Sequence, residues 1–237
     1  MASTSSTSDD LPFWVEACRT LAPAAAWVVF LSPFSTIRGV ARSKSVGGLP
    51  ALPYSSLVLN CSLWILYGLL TNEPTVMSAN TVGLALGAYY FHVFYSNCSP
   101  TATGLPGTLK DHVQVLTLTV TLALLIVIVL PRDTAAELIG KAAVIFCVIL
   151  FASPLSVLKQ AISSHSAKDI PLPFALASTV NTLLWSVSGV IALKDSNIYI
   201  PNLLGLACSL AQLVVIVMYG SGEKRAAPSD MELPLTR

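Results

Sequence analysis

Phe30-Leu31-Ser32-Pro33-Phe34-Ser35-Thr36-Ile37-Arg38 is written twice in this chain. Displaced by 121 positions it becomes Phe151-Ala152-Ser153-Pro154-Leu155-Ser156-Val157-Leu158-Lys159. The same displacement carries Ser43 onto Ser164, Ser45 onto Ser166, Pro50 onto Pro171, Asn60 onto Asn181, Trp64 onto Trp185 and Gly68 onto Gly189, with no gap. A constant offset over residues this uncommon marks an internal duplication. The repeated stretch also holds a proline inside an apolar segment of helical character, where a backbone donor is lost and the preceding turn is crowded.

The surroundings of that proline decide the class. Of the 237 residues, 54% are hydrophobic and 11% charged, against about 25% charged in soluble domains. Stretches 20–37, 45–72, 74–109, 112–131, 142–158, 170–193 and 196–222 contain no Asp, Glu, Lys or Arg. A helix needs about 17–25 predominantly apolar residues to cross a bilayer. Seven spans, and so an all-α integral membrane protein, are expected. A formal net charge of +1 gives no electrostatic basis for binding nucleic acid. The five cysteines (Cys18, Cys61, Cys98, Cys147, Cys208) are scattered and form no CxxC motif, which suits small residues in helix packing.

The duplication and the spans together predict an architecture. Residues 13–97 form a first three-helix repeat and 136–220 a second, with the unmatched fourth span, 109–131, between them. Three helices reverse the direction of entry, so a direct second copy would be inverted; one linker helix restores the orientation. Residues 1–12 and 221–237 read as disordered tails, the first lacking the basic and apolar regions of a cleavable signal. Nine basic residues (Arg38, Arg42, Lys44, Lys110, Lys159, Lys168, Lys224, Arg225, Arg237) fall on one side and four (Arg19, Arg132, Lys141, Lys194) on the other. The richer side is expected to be cytosolic, with the C-terminus there and the N-terminus outside or luminal.

Every carboxylate lies in a tail, a loop or at a helix end. Intramembrane acids mark proton relays and cation sites, so coupling to an ion gradient is not expected. Neither is catalysis, since no nucleophile–base pair, metal constellation or phosphate loop is present. No cofactor or metal is implied. The spans do hold neutral hydrogen-bonding groups. Asn60 and Asn181 are related by the repeat, and each precedes a tryptophan, Trp64 or Trp185, by four residues, on one helical face. Asn80 and Asn202 correspond at an offset of 122. Carboxamides donate and accept hydrogen bonds, and indole faces suit the apolar face of a sugar ring. The competing reading is interhelical glue.

Pro33, Pro53, Pro154 and Pro171 or Pro173 lie toward the basic side and read as kinks around one mouth of a central path. His92 falls near the end of the third span, and His112 and His165 fall in loops. Asn197 precedes Ile198, so it is no glycosylation acceptor. Asn97-Cys98-Ser99 matches that pattern but lies on the expected cytosolic side.

Leu31-Ser32-Pro33, Lys44-Ser45 with Leu52-Pro53-Tyr54, Ala152-Ser153-Pro154-Leu155-Ser156, Ile170-Pro171 and Ile200-Pro201-Asn202 resemble the SWEET sugar transporters, over roughly residues 13–220. The resemblance implies two parallel three-helix bundles joined by a linker helix, acting as a facilitative, bidirectional sugar uniporter in the bilayer. It implies a homo-oligomer, a trimer being one form, and a multi-pass protein of the plasma or vacuolar membrane. It makes Pro33, Pro53, Pro154 and Pro171 a cytosolic gate. The motif selects Pro53 where the repeat offset selects Pro50, and the parts of Pro50 and Pro173 stay open. Asn80 and Asn202 become pocket asparagines between Trp64 and Trp185, Asn60 and Asn181 tune pocket size, Tyr67 and Asp195 gate the outer side, and Gly140 and Gly189 are packing glycines. Asn60 and Asn181 are bulkier than the serines of sucrose-carrying relatives, which implies glucose or another hexose. The chain departs from the pattern at Ser188, where many members have tyrosine. A heptahelical receptor or sorting protein, or a carrier of charged amino acids, is the rival reading. If Ser32-Pro33 works a gate, Pro33→Ala changes sugar flux severalfold while leaving the melting temperature nearly unmoved, measured side by side on purified protein.

Overall fold

The computed structural model describes residues 11–98, 108–150 and 152–220, and every regular element among them is helical. In order these are α1 (Phe13–Leu31), α2 (Phe34–Ser43), α3 (Leu52–Thr71), α4 (Pro74–Ser96), α5 (Leu109–Val129), α6 (Arg132–Leu150), α7 (Ala152–Ser164), α8 (Leu172–Val187) and α9 (Ser196–Tyr219). A π-helical turn, Ser188–Ala192, extends α8. The tails expected over 1–12 and 221–237 lie outside the described residues, apart from Leu11 and Pro12.

The helices stop where the sequence chemistry stops them. Pro33 has no N–H to offer the Val29 carbonyl, and Ser32 N–H bonds it instead at 3.1 Å in a tighter turn. The helix resumes with Ile37 N–H on the Pro33 carbonyl. Tyr90 Oη, fully buried on α4, donates to the Phe30 carbonyl at 3.0 Å, one turn before the break. Such support from a neighbouring helix is what makes a break tolerable at membrane depth. In the second copy Pro154, the repeat counterpart of Pro33, lies in the first turn of α7. The other prolines behave differently from the kinks expected of them. Pro53 sits in the first turn of α3 and Pro171 is the N-cap of α8, so both start helices and bend none. His112 is also not a loop residue. It lies in the first turn of α5, behind a Thr108–Asp111 capping box, and is buried.

Six of these helical segments are long and apolar enough to cross a membrane: Phe13–Ser43, Leu52–Thr71, Leu109–Val129, Arg132–Ser164, Leu172–Ala192 and Ser196–Tyr219. The seventh expected span, α4, has the length at 23 residues but is less apolar. It packs on both α1 and α3 and buries Asn80 and Tyr90, so fewer of its residues need to suit lipid.

Packing follows the repeat. Within each copy the third helix is the hub, α4 taking α1, α2 and α3, and α9 taking α6, α7 and α8. Between copies the contacts are reciprocal: α1 packs on α8 and α3 on α6. α5 lies against α3 and α6 and buries only His112 and Ala123. The buried side chains form three clusters. One draws on both copies, including Ala26, Trp64, Tyr67, Ile139, Trp185 and Ile198. The second belongs to the first copy alone (among them Ile37, Val46, Tyr54, Tyr90, Phe94) and the third to the second copy alone (Ala161, Ile170, Ala175, Val215, Ile216). The bundle therefore has one end where the copies share a core, the Tyr67 end, and one where each keeps its own, the proline end.

Close approach of α1, α3 and α4 needs a missing Cβ at Gly83. One built there would stand 2.6 Å from both Cys61 Sγ and the Phe30 ring. Gly205 is buried at the corresponding place in α9. Gly83→Ala is expected to destabilise the first copy by about 1–3 kcal/mol through overpacking, read as a lowered melting temperature in detergent.

Candidate functional site: a neutral cavity under a closed end

A cavity of about 170 Å³ lies between the copies where the shared core meets the separated ends. Its walls repeat the sequence duplication. Ala26 faces Cys147, Asn60 faces Asn181 and Trp64 faces Trp185 at the offset of 121. Val76 and Ile198, Ala79 and Pro201, and Asn80 and Asn202 are paired at 122. Phe30 and Thr182 complete the lining. All six residues expected around a ligand are thus brought to one cavity, from α3, α4, α8 and α9. Trp64, Trp185 and Asn80 are each less than a tenth exposed.

The hydrogen bonds show what the walls still have to offer. Asn80 Nδ2 donates to the Val76 carbonyl at 2.9 Å, and Asn202 Nδ2 to the Ile198 carbonyl at 2.7 Å, each one turn back on its own helix. A carboxamide has two donors and an acceptor oxygen, so each keeps Oδ1 and one N–H for a guest. Asn60 Oδ1 accepts from Cys147 Sγ at 3.2 Å. Its repeat partner Asn181 keeps a buried Oδ1 with no partner. Such an orphan costs about 1–3 kcal/mol, which a ligand hydroxyl would offset. No charged side chain lines the cavity. Among the described residues there is no group of three His, Cys, Asp or Glu placed to hold a metal. The arrangement can hold a neutral polyol between indoles.

Tyr67 is buried one turn beyond the lining residue Trp64. Its Oη donates to Asp195 Oδ2 at 2.6 Å and accepts from Asn197 Nδ2 at 3.0 Å, joining α3 to the start of α9. Trp64 meets the Tyr67 ring edge-on, with centroids 5.6 Å apart. Gly140 makes room for that ring: a Cβ there would stand 2.6 Å from Tyr67 Cε2. Arg132, opening α6, donates to the Leu69 and Leu70 carbonyls and to Asn72 Oδ1, capping the end of α3. Ser188, the repeat counterpart of Tyr67, is fully buried and donates to the Leu184 carbonyl at 2.7 Å. The contact across the copies is therefore one-sided, with the first copy supplying the aromatic ring. Gly189 beside it lets the π-helical turn lie against α9, since a Cβ would meet Tyr199 N at 2.9 Å.

None of the four prolines expected to form a gate lines the cavity; Pro53 and Pro171 are exposed, and Pro33 and Pro154 half-buried. Sequence reasoning had Tyr67 and Asp195 but passed over Asn197, Cys147 and Thr182. The repeat offset was the usable signal for Cys147, because it places that thiol opposite Ala26.

A family model described as "Sugar efflux transporter for intercellular exchange" matches residues 20–101 and 137–224. The chain belongs to the SWEET family. It is 29% identical over 218 residues to "Sugar transporter SWEET1" of Dictyostelium discoideum, covering 90% of this chain and 95% of that one. It is 32% identical over 197 residues to "Bidirectional sugar transporter SWEET4" of Oryza sativa subsp. japonica, covering 82% and 75%. A solved structure titled as a eukaryotic SWEET transporter superposes with a TM-score of 0.78 at 25% identity, over 87% of this chain and 97% of that chain. Membership makes this a multi-pass membrane protein of a sugar-transporter family, which is no enzyme class. In this SWEET protein Tyr67→Phe removes the hydroxyl that Asp195 and Asn197 share, worth about 1–3 kcal/mol. Modification of Cys147 by an impermeant thiol reagent applied from the Tyr67 side should speed up about fivefold or more, in protein whose other cysteines are replaced.

Proposed function

We propose that the protein is a facilitative, bidirectional hexose uniporter that works by alternating access, with glucose preferred over sucrose. The observation that carries this reading is the neutral, repeat-paired cavity, closed by Tyr67–Asp195–Asn197 at one end and flanked by two separate cores at the other. A sugar ring lies between Trp64 and Trp185. Its hydroxyls bond the free groups of Asn80 and Asn202 and satisfy Asn181 Oδ1. The paired carboxamides of Asn60 and Asn181 narrow the space to one ring. No lining group changes charge, which supports movement down the sugar's own gradient.

The reciprocal contacts of α1 with α8 and α3 with α6 support two parallel three-helix bundles around a pseudo-twofold axis, with α5 as linker. The domains are then 13–97, 109–131 and 136–220. Arg38, Arg42, Lys44, Lys110, Lys159 and Lys168 lie toward the proline end, which supports a cytosolic placement there. On this reading the cavity opens toward the cytosol when Tyr67 is bonded to Asp195. Release of Tyr67 from Asp195 would open the outer side, while α2 and α7, hinged at Ser32-Pro33 and its copy, bring Pro33, Pro53, Pro154 and Pro171 together. The broad apolar face of α5 suits lipid or a second protomer in a homo-oligomer, and the plasma and vacuolar membranes both suit such a carrier.

Counterflow of labelled glucose into liposomes holding the purified protein tests the reading. Glucose and other hexoses should exchange faster than sucrose. Asn202→Ala should cut glucose flux about tenfold, as loss of one bond of about 1.5 kcal/mol implies, with melting temperature unchanged. Binding without counterflow would indicate a receptor instead, and unchanged flux in the variant would return the asparagines to helix packing.

A further inference from the structure

A second cavity, of about 220 Å³, lies outside the sugar path, between α3, α5 and α6 near the proline end. Ser55, Ser56 and His112 supply its polar groups, and residues such as Leu59, Leu116 and Phe146 its apolar wall. His112 is 8% exposed, and its Nε2 has no hydrogen-bond partner. Ser56, 5% exposed, stands in the same lining. A buried ring nitrogen without a partner in the lining calls for a ligand that bonds it.

From these groups we infer that the cavity is a lipid site taking a neutral membrane amphiphile with a hydroxyl head group. His112 Nδ1 lies 3.0 Å from Ser55 Oγ, whose single proton can go to Nδ1 or to the Ala51 or Leu52 carbonyl. If the proton stays on a carbonyl, Nδ1–H donates to Ser55 and Nε2 is a bare acceptor. If Ser55 donates to Nδ1, Nε2 carries the hydrogen. A hydroxyl, being both donor and acceptor, pairs with either form. No Lys or Arg lines the cavity, and Asp111 stands at its mouth, which disfavours phosphate and carboxylate heads. The source is the bilayer, because Leu52 and Val115 in the lining are 37% and 57% exposed on the helix faces that meet lipid. The polar groups lie in the first turns of α3 and α5, at head-group level, and the apolar wall runs deeper, matching an amphiphile with its head at the membrane surface.

The test uses photoreactive cholesterol and a photoreactive long-chain alcohol, each in phosphatidylcholine liposomes holding the full chain, with cross-linked peptides mapped by mass spectrometry. At least one probe should label 52–59 or 111–116, about fivefold above its analogue lacking the oxygen; which probe does so separates a sterol from a single-chain lipid. His112→Phe and Ser56→Ala should each reduce that labelling about fivefold at unchanged melting temperature. If His112→Phe fails to fold, Ser56→Ala and the oxygen-free analogue still decide. Labelling spread evenly along the outer face of α5 at Leu118, Leu122 and Leu125, or equal with the oxygen-free analogue, or indifferent to folded variants, would overturn the assignment. The readout is independent of sugar flux, so it stands or falls apart from transport.

Discussion

Inside a bilayer a backbone group that loses its helical partner finds no water to replace it. That constraint makes Ser32-Pro33 the point on which the first copy turns. The proline withdraws a donor from Val29, Ser32 takes its place, and Tyr90 reaches across from α4 to the Phe30 carbonyl. With the break supported in this way, α1 can belong to a core shared by both copies while α2 belongs to a core of one copy only. The second copy carries Pro154 at the position equivalent to Pro33.

The duplication supplies near-symmetry, and function calls on the departures from it. Twelve of the wall positions form six repeat-related pairs, yet Ala26 faces Cys147 and Ala79 faces Pro201. At the covered end the asymmetry is complete. Tyr67 spans to Asp195 and Asn197, whereas Ser188 turns back into its own helix and opens a π-helical turn. The Tyr67 ring lies on Gly140; a second ring would have no matching recess, because Arg19 occupies the position equivalent to Gly140.

The polar chemistry of the spans is carried by amides and hydroxyls. Such groups can be buried when each finds one partner on its own helix, as Asn80, Asn202, Thr182 and Ser188 do. Among those that do not are Asn181 Oδ1 in the central cavity, His112 Nε2 in the lateral one and Ser186 Oγ on α8.

Much of this was legible in the residues alone. Absence of charge over long stretches dictates membrane-length helices, because ions are costly in hydrocarbon. The offset of 121 dictates which residues are equivalent, so Asn60, Trp64, Asn181 and Trp185 could be named together before any coordinates. Other features depended on tertiary packing. Sequence placed His112 in a loop, since one turn more or less of helix is decided by a capping box and by what lies across from it; packing against Ser55 buried it. Prolines at 53 and 171 look like kinks by composition, but a proline in the first turn loses no bond, and only the helix boundaries reveal that position. Which side chains share a core across the copies and which keep to one copy is likewise invisible in a linear pattern, because it is decided by how helices far apart in the chain pack together.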